Sequence, residues 1–322
     1  MTQQLIKDMS SAIDAVQKWP ARKVHIFHHN DADGLSSGAI LTRAFERQGF
    51  EIQRLCLEKP YPQLLQKVFE HKGGLYVFTD LAGRIAPLIS DLNKGRNLTL
   101  ILDHHVAHPA TDPYVHNLDP DLYGLKGDRD ISASTTCYLF ARTMDPANVD
   151  LAHIAAIGAV GDGFYVDGRL ASENRKAALE AARQGTLEIK THESGEQYFL
   201  KSSNQHILLE ALARDLDILG AAGYLDNGPD IGVQVCLEGK IAMADQMLAQ
   251  FKQIQQKAFE AEILRLEQGG LQESSHIQWF HVQDRFAPMG CKMIGAFCET
   301  HKNAAFFDPD KYIAGFQLIP NK

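Results

Sequence analysis

Four short apolar runs restrict this chain more than any other feature: residues 23–28 (KVHIFH), 51–57 (EIQRLCL), 75–79 (LYVFT) and 98–102 (LTLIL). Segments with helical periodicity separate them at 36–48, 61–69 and 84–93. Another precedes them at 3–19, with Leu5, Met9, Ile13 and Val16 on one face. Runs such as LYVFT are apolar on both faces and belong in a sheet that is covered on both sides. Strand and helix alternating four times predict a doubly wound, mainly parallel α/β layer. In such a layer, ligands bind at the carboxyl ends of the strands.

The chemistry-bearing residues collect where those strands end. His29, Asp31 and Asp33 follow the first run, which ends in His28, Asp80 follows LYVFT, and Asp103, His104 and His105 follow LTLIL. A fourth spot is Asp162, in GAVGDG at 158–163, after the apolar helical stretch LAHIAAIGAV. Carboxylates crowded in this way are unfavourable to bury unless something positive joins them. Carboxylates with a few imidazoles suit Mn²⁺ or Mg²⁺, and the set lacks the thiolates that would favour structural zinc. Five or six such ligands suffice for two ions sharing one carboxylate. Two ions ~3.5–4 Å apart stabilise the attacking and leaving oxygens of a displacement at phosphorus.

Further helices are predicted around 132–143, 151–160, 172–184 and 204–214, a strand at 228–238, and a long polar helix over 242–267. A strand at 276–283, a helix at 290–299 and short strands at 304–307 and 312–318 complete the chain. This pattern predicts a catalytic domain over 1–240, a connector helix over 241–271 and a small α/β domain over 272–322. The net charge of −8 weighs against non-specific duplex DNA binding, without excluding a local basic groove. No apolar run approaches ~18 residues, and the N-terminus lacks the apolar core of a signal peptide. The five scattered cysteines form no CxxC and read as reduced thiols, so a cytoplasmic location is expected.

HNDADG at 29–34, TD at 79–80, DHH at 103–105 and GD at 161–162 resemble, in order and spacing, the four motifs of the DHH phosphoesterase superfamily. The match covers about residues 23–165, and the stretch HHNDADGLSSGAIL is most similar to the RecJ-like and archaeal GINS-associated nuclease branch. The resemblance implies one ion held by His29, Asp31 and Asp80, and a second held by Asp33, Asp80, His104 and Asp162, with Asp80 bridging. It implies that Asp103 orients an imidazole and that His105 contacts the scissile phosphate, so that Asp80, Asp103 and His105 form the catalytic group. The first-motif histidine stands two or four residues before the first Asp in different branches. Here the two-back residue is His29 and the four-back residue is Phe27, which favours His29 and leaves His28 as the second candidate.

The implied cofactor is a pair of Mn²⁺ ions, with Mg²⁺ as the substitute. The implied substrate is single-stranded or short oligonucleotide, cleaved one nucleotide at a time; a cyclic dinucleotide or polyphosphate is the alternative. A second copy of the chain, or a replication or repair partner, is the expected assembly. One departure concerns the GGGH element with which many relatives grip substrate in their C-terminal domain. Its nearest counterpart here is ETHKN at 299–303, without the glycines. The small domain is therefore expected to be a shortened or divergent DHH-associated domain, with Arg285 and Lys292 joining Arg84 as substrate contacts.

Two rival readings belong to other classes. Gly34-Leu35-Ser36-Ser37-Gly38 matches the nucleophile elbow of serine hydrolases, with Ser36 as nucleophile. That reading leaves Asp31, Asp33, Asp80 and the DHH run without a role. A non-catalytic module that binds nucleotide or a replication partner is the other, and the complete ligand set argues against it. Arg129 and Ser134 open a helix and read either as capping residues or as phosphate contacts.

Overall fold

The computed structural model describes residues 2–202, 205–239 and 241–318. The chain divides into two units, Met1–Leu216 with Val233–Gly239, and Asp217–Gly232 with Lys240–Lys322.

The first unit is built on five parallel strands in the order β2-β1-β3-β4-β5. These are β1 (Lys23–His28), β2 (Glu51–Cys56), β3 (Leu75–Thr79), β4 (Leu98–Leu102) and β5 (Val115–Asn117). β3 and β4 are buried at every residue, which accounts for their unbroken apolar sequences. After α1 (Thr2–Lys18), the crossovers run through α2 (Ala32–Arg47), α3 (Pro62–Glu70) and α4 (Ala86–Asn93). One face of the sheet packs its aromatics closely: Phe27 stacks on Phe78 at 4.7 Å between centroids, and Phe69 joins them. On α2 pack α5 (Ala133–Met144) and α6 (Ala152–Gly161). The doubly wound, mainly parallel α/β layer is as expected from the sequence. Because β1 lies between β2 and β3, successive crossovers leave it in opposite directions, and the carboxyl ends of β1 and β3 form the switch point where open sheets bind ligands.

α6 is followed by the hairpin β6 (Tyr165–Val166) and β7 (Arg169–Leu170), and by α7 (Ser172–Arg183). An antiparallel meander then runs through β8 (Leu187–His192), β9 (Gly195–Ser202) and β10 (Gln205–Leu208). The helix expected over 204–214 is therefore α8 (Leu209–Asp217), with β10 before it; residue 204 lies outside the described residues. The strand expected at 228–238 is instead a helix, α9 (Gly228–Glu238). Ile231, Val233 and Val235 alternate as in a strand, but Cys236 is buried with them, and the exposed Gln234 and Glu238 stand four residues apart on one helical face.

The second unit holds α10 (Ala242–Arg265) and the sheet β11-β12-β13, formed by β11 (Gln272–Glu273), β12 (Ile277–Gln283) and β13 (Tyr312–Gln317), with α11 (Lys292–His301). The long helix thus groups with residues 272–318. Phe259, Phe280, Phe286 and Phe297 make its aromatic core. The strand expected at 304–307 is a turn, closed by Ala304 N–H to His301 O and Phe307 N–H to Ala304 O. Among the described residues no helix is long and apolar enough to cross a membrane.

Candidate metal centre

α2 begins four residues before the predicted start, and this brings the first motif into the sheet edge. Asp31 is its N-cap: Oδ1 accepts from the Gly34 N–H at 2.9 Å, while Oδ2 lies 2.8 Å from His29 Nδ1. Asp33, one residue inside the helix, is fully buried. Its two oxygens accept from the Ala133 and Ser134 N–H groups, at 2.7 and 3.0 Å, in the first turn of α5. Two helix N-termini therefore direct their unpaired donors at carboxylates.

Asp80 leaves β3 in the left-handed region, at φ 58, a conformation Asp tolerates better than most residues. Its N–H donates to Leu102 O on β4. Its Oδ2 is 3.2 Å from His29 Nδ1, and its Oδ1 is 3.2 Å from His104 Nε2. Asp162, at the end of α6, brings Oδ2 to 3.4 Å from the same Nε2, and Asp33 Oδ2 lies 3.9 Å from it. Potential ligand atoms lie within 4.8 Å of one another in three groups: His29, Asp31 and Asp80; Asp33, Asp80, His104 and Asp162; and Asp80, Asp103, His104 and His105.

His104 is fixed by its far nitrogen. Nδ1 lies 2.6 Å from Gly127 O and donates to it, which leaves Nε2 as the bare nitrogen. Nε2 is buried and forms no aligned hydrogen bond, although Asp80 Oδ1 is within 3.2 Å. An orphaned imidazole nitrogen facing three carboxylates fits a divalent cation, and the oxygen-rich donor set suits a hard or borderline ion.

The electrostatics of the ion-free cluster agree. Burial and the charge of Asp80 push the Asp33 carboxyl up to about 6. Burial, then Asp33, Asp31 and Asp80, push Asp162 well above its ordinary value. Burial disfavours a charged His29, but Asp31 and Asp80 outweigh it and raise the ring to about 10. His104 is raised in the same way by Asp80, Asp33 and Asp162, against its burial. Without an ion, the carboxylates recruit protons in its place.

Asp103 and His105 form a pair at the side of this cluster, next to Asp80 and His104. Asp103 Oδ1 accepts from His105 Nδ1 at 2.7 Å and from the His104 N–H at 2.8 Å, and Oδ2 accepts from the Gly83 N–H at 2.8 Å. Burial alone would raise this acid, but the His105 contact, helped by His104 and Gly83, holds it at about 2. The His105 side chain is 59% exposed.

The other sequence-derived candidates have settings of their own. His28 is buried, packs against Gly38 of α2, brings Nδ1 within 2.8 Å of His29 O and enters none of the three groups. Arg84 is exposed on the short 3₁₀ turn Gly83–Ile85. Arg285 and Lys292 lie in the second unit. The Arg285 guanidinium donates to Glu262 Oε2 at 2.9 Å and to His281 O at 2.7 Å. Arg129 pairs with Asp130, and the Ser134 N–H is spent on Asp33. Ser36 is buried inside α2, 3.7 Å from Cys236 Sγ, not on an exposed elbow.

Asp119 escaped the sequence reading. It is fully buried, follows β5, and shares with Asp103 the space in front of Gly83: a Cβ on Gly83 would be 2.3 Å from Asp119 Oδ2 and 3.1 Å from Asp103 Oδ2. Its signal was the carboxyl end of a strand, hidden because β5 is three residues long.

No model of a protein family matches the chain. An uncharacterised protein of Methanocaldococcus jannaschii is 31% identical over 149 residues, 44% of this chain, and the match spans about a third of the relative's length (33%). Among solved structures, exonuclease RecJ bound to manganese aligns with 97% of this chain and 82% of its own, at TM-score 0.63 and 15% identity. RecJ from Thermus thermophilus in complex with Mn²⁺ aligns with 91% of this chain and 45% of its own, at TM-score 0.59 and 16% identity. CDC45 from Entamoeba histolytica aligns with 97% of this chain and 86% of its own, at TM-score 0.64 and 12% identity. The chain thus has the fold of the RecJ and CDC45 structures, which bears out at the level of fold the resemblance to the DHH superfamily carried by its four motifs.

Proposed function

We propose that the protein is a divalent-metal phosphoesterase that hydrolyses phosphodiester bonds in single-stranded or short nucleic acid, releasing one nucleotide at a time. The observation that carries this reading is Asp80, whose two oxygens face different imidazoles and so join two groups of ligand atoms. His29, Asp31 and Asp80 would hold one ion, and Asp33, Asp80, His104 and Asp162 the other, as Mn²⁺ or Mg²⁺. When bound, such a pair neutralises charge on phosphate oxygens and acidifies the attacking water.

The chain supplies the rest. Gly127 O keeps His104 in the tautomer whose Nε2 can ligate, and the α5 N-terminus orients Asp33 and favours its charged form against burial. Asp103 keeps His105 positive and exposed, ready to meet negative charge building on the equatorial oxygens. Arg84, Arg285 and Lys292 are the proposed substrate contacts, and a cytoplasmic setting with a second copy or a replication or repair partner completes the reading. The likeness to exonuclease RecJ supports the choice of nucleic acid over a cyclic dinucleotide or polyphosphate.

The test is a hydrolysis assay with Mn²⁺ over labelled single-stranded DNA, short RNA, a cyclic dinucleotide and polyphosphate. Wild type should release mononucleotides, and Asp80→Ala should lose more than about 1,000-fold in turnover, roughly 4 kcal/mol of barrier. A folded Asp80→Ala protein with near-wild-type rate would overturn the mechanism.

A further inference from the structure

A groove of about 430 Å³ borders the cluster, with His104 and His105 in its lining. Its size falls within the ~300–1,000 Å³ typical of small-molecule sites. Val106, the residue after the DHH run, is 62% exposed and forms one wall. Phe164, packed edge-on against the His104 ring at 5.4 Å, lies under the groove. Beyond His104 and His105, which face the reacting phosphate, the charged lining is Lys126 against two carboxylates, Asp121 and Asp128. Asp121 is held in place, with Oδ2 accepting from the Ala107 N–H at 3.1 Å.

This lining selects among phosphate compounds. Past the reacting phosphate, polyphosphate would set charge after charge against Asp121 and Asp128, with Lys126 alone to offset them. Like charges so close repel. A nucleotide offers one phosphate and then an apolar-faced ring and sugar, which suit Val106 and Phe164.

Resting on the reading above, we propose that this groove is a nucleoside subsite. Val106 and Phe164 receive the ring and sugar, Lys126 receives the single adjoining phosphate, and Asp121 with Asp128 turns polyphosphate away.

Calorimetric titration tests this on the full chain loaded with Mn²⁺, using a nucleoside monophosphate and tripolyphosphate as probes. Wild type should bind the nucleotide at least about tenfold more tightly than tripolyphosphate, and Val106→Asp should weaken the nucleotide by about tenfold. Asp128→Lys, on an exposed loop, should raise tripolyphosphate affinity, so a second variant reports if Val106→Asp fails to fold. Tripolyphosphate binding as tightly as the nucleotide, or Val106→Asp leaving nucleotide affinity unchanged, would overturn the subsite. Binding needs no turnover. A protein that ranks the probes as expected yet hydrolyses nothing supports the subsite and refutes only the phosphoesterase reading. One that degrades oligonucleotides yet prefers tripolyphosphate refutes the subsite alone.

Discussion

Asp103 and His105 are joined by a 2.7 Å hydrogen bond from imidazole Nδ1 to carboxylate Oδ1, and every other bond to that carboxylate reinforces it. The His104 N–H takes the same oxygen, and the Gly83 N–H takes the other. A buried acid is thereby held ionised, and the bond to it raises the exposed ring above the ordinary histidine value, against the ring's own partial burial. The carboxylate is an orienting and charging device for its neighbour, comparable with the outer partners that fix imidazoles in metal sites.

Asp103→Asn should therefore lower turnover by roughly 10–100-fold. His105 then loses the anion that raises it and titrates closer to its ordinary value. The sign follows: a positive ring needed for turnover disappears at lower pH in the variant. The alkaline fall of kcat should move to more acidic pH than in wild type. An Asp103→Asn profile that overlies the wild-type curve at all pH values would exclude this role.

Manganese affinity should rise with pH. In the ion-free protein Asp33 is pushed up to about 6, and Asp162 and His104 are raised as well. Each must be proton-free at its ligating atom to hold an ion, so binding competes with protons below those values. Between pH 5.5 and 7.5 the apparent Kd should fall by at least about tenfold. Calorimetry in buffers of different ionisation enthalpy should register proton release; an affinity flat across this range contradicts the assignment.

How far the chain was legible depended on burial. β3 and β4 were bounded correctly because both of their faces are covered, so the apolar runs have sharp ends. α2 was started too late because His-Asn-Asp-Ala-Asp resembles a loop, although Asp31 is a cap and Asp33 already lies inside the helix. α9 was misread because Ile231, Val233 and Val235 alternate as in a strand, which hides the helical spacing of Asp230, Gln234 and Glu238. The meander β8–β10 was passed over because its strands mix exposed charged residues with few apolar ones. Motif spacing favoured His29 over His28, and the packing of the first ring against Gly38 of α2 is a contact that spacing alone does not reveal.

Asp119 gives a stability prediction of opposite sign to the usual carboxylate. Burial, then the Asp103 charge, pushes it up to about 8. Its Oδ1 accepts from the Asp121 N–H, but its Oδ2 is buried without a partner. Folding therefore takes up a proton that the unfolded chain, with an ordinary Asp value near 3.9, has released. The folded state loses stability as pH rises from about 4 to 8, by an amount on the order of a few kcal/mol. Asn keeps the Oδ1 bond and removes the titration. With chelator present, Asp119→Asn should melt higher than wild type at pH 8, and the gap should close towards pH 5. An equal gap at both pH values, or a variant less stable at pH 8, would show that this acid is not held protonated.

Gly158 should tolerate no side chain, for a reason that ties helix packing to the metal centre. It lies in α6 where that helix crosses the first turn of α5, one helical turn before Asp162. A Cβ here would fall 2.2 Å from Ser134 Oγ and 2.3 Å from Asp33 Oδ1. Neither atom can give way freely: Ser134 Oγ donates to Ala155 O on α6, and Asp33 is held by two α5 N–H groups. Overpacking of this kind costs about 1–3 kcal/mol, which lowers Tm by several degrees. Displacing Asp33 also moves a proposed ligand, so the Mn²⁺ affinity of Gly158→Ala should fall more than that of a control such as Ala178→Gly, which loosens buried packing in α7 away from these contacts. Equal losses of stability with equal Mn²⁺ affinity in the two variants would show that Gly158 serves helix packing alone.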